Sequence, residues 1–204
     1  MATLQQMKIR IARELPQNPE VYAQISEAVD SAISHYERQR FWFNEMRATT
    51  PTVLHQETYA VPDDFIEADQ LQLTSNGTQW RLEPMPYEWF AERDHQNPVY
   101  GQSSYWTIYQ NQIWVWPVPD TAAYTITLSY VKKIAAITDN ESNEWTVEAE
   151  RLIRSRAKYY LCLDVLHDAA LAQQMKSEEF EALRETNREV SRRATSGRIL
   201  ARYL

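Results

Sequence analysis

The sequence predicts an α+β fold: a helical bundle made from the two ends of the chain, with an antiparallel β-rich domain inserted between them. Three observations predict it. Apolar residues recur at helical spacing up to about residue 45 and again from Thr146. Between Met46 and Trp145 the period falls to two, the signature of half-buried strands. Neither terminal stretch can bury its apolar stripe alone, so the simplest packing joins them. The expected division is residues 1–45 with 146–204 as the bundle, and 46–145 as the insertion.

Each element has a local cause. Thr3 can cap a short helix with Leu4, Met7 and Ile11 on one face, ended by Pro16. Asn18 caps a second helix with Pro19 at its first position. Its stripe is Val21, Ile25, Val29, Ala32, Ile33 and Tyr36. Phe41-Trp42-Phe43 then begins an aromatic core. Glu57–Val61 reads as a strand stopped by Pro62. Leu71–Thr74 and Gln79–Leu82 face each other across Asn76-Gly77, whose residues tolerate the positive φ of a tight hairpin. Pro86–Arg93 reads as a short helix. Tyr105–Tyr109 and Ile113–Trp116 form a second hairpin around Gln110-Asn111, ended by Pro117 and Pro119. Tyr124–Tyr130 is the last clear strand. One long helix is expected from Trp145 or Thr146, burying Ala149, Leu152, Ile153, Ala157, Tyr160, Leu161 and Val165. A break near His167-Asp168 separates it from a charge-rich helix with Leu171, Met175, Phe180, Leu183 and Val190 inward, ending by Gly197.

Composition narrows the function. Only 3 glycines occur, which leaves little material for phosphate-cradling loops. The net charge is −7, but residues 187–204 carry Arg188, Arg192, Arg193, Arg198 and Arg202 against Glu189 alone. Such asymmetry marks either a docking tail or a solvated helix face. The single cysteine, Cys162, excludes a disulfide within the chain and suits a reducing compartment. The first residues lack the apolar core of a signal peptide, and no run of 18 apolar residues exists to span a membrane.

Catalytic constellations are absent. His35, His55, His95 and His167 lie in four separate segments without metal-ligand spacing, so no metal or other cofactor is expected. There is no phosphate-binding loop, dinucleotide fingerprint or nucleophile elbow. Asp63-Asp64 and the acidic loop Asp139–Glu144 lack the calcium-loop spacing and read as caps and turns. Glu83, Glu88 and Glu92 near many aromatics leave a cell-wall polysaccharide hydrolase conceivable, and the aromatics alone a carbohydrate-binding module. The flanking helices argue against the latter. Trp80, Trp106, Trp114 and Trp116 alternate with other residues on expected strands, as core or as a contact surface toward neighbouring subunits or the tail.

The order of short motifs resembles a known family. Tyr59-Ala60-Val61-Pro62-Asp63-Asp64-Phe65-Ile66 is followed by Leu82-Glu83-Pro84 and Tyr87-Glu88-Trp89. Then come Gln112-Ile113-Trp114-Val115-Trp116-Pro117-Val118-Pro119-Asp120 and a Tyr-rich strand. Ser142-Asn143-Glu144-Trp145 with Ala149-Glu150, Leu152-Ile153 and Arg156-Ala157 continues it. Over roughly residues 41–183 this resembles the head–tail adaptor, or connector, proteins of tailed bacteriophages. The resemblance implies a structural virion protein, not an enzyme, assembled in the host cytoplasm. It implies a homo-oligomeric ring, usually about twelve copies, beneath the portal protein. Such a ring extends the DNA channel and offers a platform to tail or nozzle proteins. The helical bundle would line the ring, and the segment Arg188–Arg202 would be the portal-docking arm. An acidic remainder suits a wall past which genomic DNA slides without specific binding.

Overall fold

The computed structural model describes residues 2–16, 18–93 and 96–194. They fold as α+β, in two compact units. One joins the residues up to Asn44 to those from Ile134 onward; the other is Glu45–Lys133. The stretch 134–145, assigned from its sequence to the β insertion, therefore belongs with the helices.

In the helical unit, α1 (Leu4–Glu14) starts in a full capping box: the Thr3 hydroxyl accepts from the Gln6 N–H while the Gln6 side chain accepts from the Thr3 N–H. Leu15, before Pro16, is already extended. α2 (Pro19–Tyr36) is capped by Asn18, whose side chain accepts from the Glu20 N–H at 2.9 Å. Both helices bury the expected faces, except that Ile33 is only partly covered. Phe41 stacks on Phe43 at 5.1 Å, and Trp145 meets both rings edge-on.

The expected long helix is instead two pieces, α4 (Glu144–Val147) and α5 (Glu150–Tyr160), which follow α3 (Tyr87–Ala91) of the other unit in chain order. Asn143 caps the first through its own capping box. Ala149 leaves the helical region at φ −122° and ψ 19°, and the change of direction lets Trp145 and Ala149 both enter the core. After α5 the backbone loosens into a π-helical turn, Leu161–Val165. His167 takes a left-handed φ of 51°, and Asp168 caps α6 (Ala169–Ala194) by accepting from the Ala170 and Leu171 N–H groups. This is the break expected at His167-Asp168. Cys162 lies in the π turn, fully buried, and burial pushes its thiol up to about 11.

The face of α6 differs from expectation. Its fully buried positions are Ala172, Met175, Glu179, Ala182 and Thr186, whereas Phe180 is 60% exposed. Of the expected inward residues, Met175 is buried and Leu171, Leu183 and Val190 pack partly covered against the core, so only Phe180 falls on the wrong side, its place taken by the polar Glu179.

In the β unit, one sheet has the order β1-β8-β3-β4 and the other β2-β7-β6-β5. Here β1 is Glu45–Pro51, β2 Thr58–Ala60, β3 Phe65–Ser75 and β4 Thr78–Arg81; β5 is Glu83–Pro84, β6 Tyr105–Tyr109, β7 Gln112–Trp116 and β8 Thr125–Lys132. Both expected hairpins form. Ser75 pairs with Thr78 across Asn76 (φ 49°) and Gly77 (φ 79°), and Tyr109 pairs with Gln112 across Gln110 (φ 50°) and Asn111 (φ 57°). The sheets are antiparallel except that β5 runs parallel to β6. Tyr59, Leu71, Leu73, Leu82, Trp106, Ile113, Val115, Ile126, Leu128 and Tyr130 fill the core of the unit. A smaller cluster of Phe90, Trp116 and Val118 forms around α3 (Tyr87–Ala91).

A charged network ties the helices together. Lys158, only 5% exposed, donates to Glu14 of α1 and Glu178 of α6, each at 2.9 Å. Two residues earlier, Arg156 donates to buried Glu179 at 3.1 Å and to the Tyr160 hydroxyl at 2.9 Å. Glu179 also accepts from the Tyr36 hydroxyl of α2. Removing one member of a buried charge set strands the others. Glu179→Ala is therefore expected to destabilise the helical unit by about 3–5 kcal/mol, and Glu179→Gln, which keeps an acceptor, by less. Urea midpoints of the three proteins check this.

His35 lies beside the network, its Nδ1 3.4 Å from Arg156. Burial first and the Arg156 charge second hold its pKa below the usual 6.5, while Glu179 pulls weakly the other way. The unfolded chain then binds a proton near pH 6.5 that the folded chain refuses, so stability present above that pH falls on acidification. Wild type should lose more of its urea midpoint between about pH 7.5 and 5.5 than His35→Gln does.

Candidate assembly surfaces

The residues singled out from the sequence fall on the surfaces that each unit leaves outside or in its core. α6 packs against α5, with Arg151 meeting Glu185 and Lys158 meeting Glu178, and its last turns carry the basic residues. Arg188, Arg192 and Arg193 are all exposed there; Arg198 and Arg202 lie outside the described residues. Glu189 accepts from Arg192 at 2.8 Å and Arg193 at 2.7 Å. Those two hydrogen bonds hold its carboxyl down to about 2. Arg193 also sits over the Trp42 ring, 4.7 Å from its centre. The described end of the arm is thus a braced helical turn with Arg188 facing solvent.

The four tryptophans separate by burial. Trp106 is 6% exposed in the sandwich core, its indole N–H donating to the Leu82 carbonyl at 3.2 Å. Trp116 is 8% exposed against Phe90. Both are consumed by the fold: Trp106 of β6 lies in the core of the β unit, and Trp116 at the end of β7 lies in the cluster around α3. Trp80 and Trp114 are half-buried. Around Trp114 the aromatic residues brace one another: Tyr87 stacks on Tyr109 at 3.6 Å and meets Trp114 edge-on. Arg93 lies 3.5 Å over the Trp89 ring.

Glu83, Glu88 and Glu92 are all exposed. Asp64 accepts from the Tyr130 hydroxyl at 2.8 Å, and burial together with that bond pushes the phenol up to about 12. The loop containing Asp139 and Glu141 holds the start of α1. Its carbonyls accept from the Leu4 and Gln5 N–H groups, and the Asp139 carboxylate takes Lys8 at 2.6 Å. Helix starts need such acceptors, and here a distant loop supplies them. His35, His55 and His167 lie in separate elements, and His95 is outside the described residues. Among the described residues no group of three or more His, Cys, Asp or Glu could hold a metal ion.

One surface gave no sequence signal. Val53, Leu54, Val99 and Tyr100 are each about half exposed on loops of the β unit, with His55 packed on the Tyr100 ring at 4.2 Å. The two loops are tied down by the His55 N–H donating to the Pro119 carbonyl and by Val99 and Gly101 bonding to Val118. Scattered apolar residues in loops have no period to detect; the doublet Val53-Leu54 next to Pro51 was the available hint.

No helix among the described residues is long and apolar enough to cross a membrane. No curated protein matches the chain. The SU10 adaptor protein family matches it over residues 2–201, nearly its whole length. In agreement with the head–tail adaptor resemblance of its motifs, the chain belongs to the SU10 adaptor protein family.

Proposed function

We propose that this adaptor forms a ring beneath the portal of a tailed phage, extends the DNA channel, and gives tail or nozzle components their docking platform. The observation that carries the reading is the family match across both the helical residues and the β unit. The end of α6 supports the docking role: three exposed arginines sit on a helix anchored by a buried network. The half-buried Trp80 and Trp114, with the Val53–Tyr100 loops, are the surfaces left for neighbouring copies or the tail. Interfaces favour aromatic and arginine side chains of this kind. A net charge of −7 suits a channel wall that repels phosphate.

Deleting residues 190–204 is expected to abolish attachment to portal particles, read by co-sedimentation, while the folded core persists by circular dichroism. Unchanged co-sedimentation rules out the arm. The assembled ring is also expected to leave duplex DNA unshifted in a gel at physiological salt, and measurable binding would overturn the channel-wall role.

A further inference from the structure

One sheet of the β unit ends on each side in a strand that pairs on a single flank. In the order β1-β8-β3-β4, β1 bonds to β8 and β4 to β3, and no other strand among the described residues joins them. Outer edges of this kind are templates for a further strand. β1 has 7 residues and β4 has 4, against 3 and 2 for the edge strands β2 and β5 of the other sheet. Only the first sheet therefore offers edges long enough to pair.

The two edges match in direction, in backbone and in side chains. Every neighbouring pair in this sheet is antiparallel, so β4 runs opposite to β1 and still does so beside the β1 of a second copy. The Thr52 N–H donates to the Tyr124 carbonyl opposite it, and the Leu82 N–H to the Leu71 carbonyl, each at 2.9 Å. Bonded pairs alternate along an antiparallel ladder. Met46, Ala48 and Thr50 therefore turn their peptide groups toward β8, and Thr78 and Trp80 turn theirs toward β3. Those of Glu45, Arg47 and Thr49, and of Gln79 and Arg81, point outward. Met46, Ala48 and Thr50 also share the core face, opposite Tyr130, Leu128 and Ile126, and Trp80 shares it opposite Leu73. At each edge that face is left part-open: Met46 is 47% exposed and Trp80 half-buried.

Pairing that joins core face to core face must set Trp80 opposite Met46, Ala48 or Thr50. Opposite Ala48, Arg81 meets Arg47, a pair of like charges. Opposite Thr50, Gln79 meets Pro51, which has no N–H to donate. Opposite Met46, Arg81 meets the acidic Glu45, Gln79 meets Arg47, and Thr78 meets Ala48.

We infer that β4 of one copy adds to β1 of the next in this last register, carrying the sheet from subunit to subunit. The opposed outward residues then exchange about four backbone hydrogen bonds, and the Met46 thioether closes on the Trp80 ring. Two different surfaces meet, so the contact is head-to-tail and can close into a ring. It rests on the ring reading and names the edges by which one copy holds its neighbour.

The experiment uses the full chain, with buried Cys162 left in place. Ala48→Cys and Thr78→Cys are made separately, mixed, assembled on portal particles and treated with mild oxidant. These positions face each other in a non-hydrogen-bonded pair, where Cα atoms lie about 4.5 Å apart, within disulfide reach. The mixed cross-link should form at least about tenfold faster than either variant's link to itself, or than Thr49→Cys with Thr78→Cys, since position 49 faces the other side of the sheet. A chain carrying both Ala48→Cys and Thr78→Cys should give a ladder of covalent multimers. Arg47→Pro removes an outward N–H and leaves the bonds to β8, so it should stay folded by circular dichroism and lose the mixed cross-link. Assemblies that hold several copies by mass but form no mixed cross-link would overturn the edge pairing and leave the ring standing. So would a dominant self-link, the mark of two-fold pairing, or undiminished cross-linking in folded Arg47→Pro. Copies that never exceed one per particle would instead remove the ring itself, and the pairing with it.

Discussion

Everything in the helical unit depends on α5 being surrounded. It packs against α1, α2 and α6, which come from both ends of the sequence, and its own residues supply both the apolar contacts and the polar ones. Leu152, Ile153 and Ala157 are sealed into the core. Arg10 of α1 meets Glu150, Lys158 meets Glu14 and Glu178, and Arg156 meets Glu179. Apolar packing alone tolerates sliding; a set of buried charges with fixed partners does not. The network therefore sets the register of helices separated by more than a hundred residues of intervening chain. Only with that register fixed do the last turns of α6 project from a defined place.

The same logic explains how a chain can carry an insertion of this size. Asn44 is fully buried, accepting from the Phe41 N–H and donating to the Gln39 carbonyl, so the helical unit closes just before β1 begins. On the return side the loop from Ile134 fastens onto the start of α1. Each unit keeps its own apolar core.

Much of this was legible from residues whose local chemistry has a single outlet. Thr3, Asn18 and Pro19 announced helix starts, Asn76-Gly77 announced a hairpin, and His167-Asp168 marked a break, because caps and tight turns are decided within four residues. What stayed hidden depended on distant partners. β1 has no fully buried position, so it carried no period-two signal. The parallel β5 has only two residues. The inward face of α6 includes Glu179 and Thr186, which are buried only because Arg156, Tyr36 and the local backbone satisfy them. Of the candidate surfaces, Arg188, Arg192 and Arg193 lie outside as their charge requires. Trp106 and Trp116 went into the core, since an alternating strand cannot say which of its faces will be covered.

The lone sulfhydryl has a bearing on durability. An accessible thiolate can be oxidised, or bridged covalently to another thiol, once its surroundings turn oxidising. Cys162 has no solvent contact, and its proton is held by the surrounding hydrocarbon up to about 11. As long as the helical unit stays folded, air has no ready route to this sulfur.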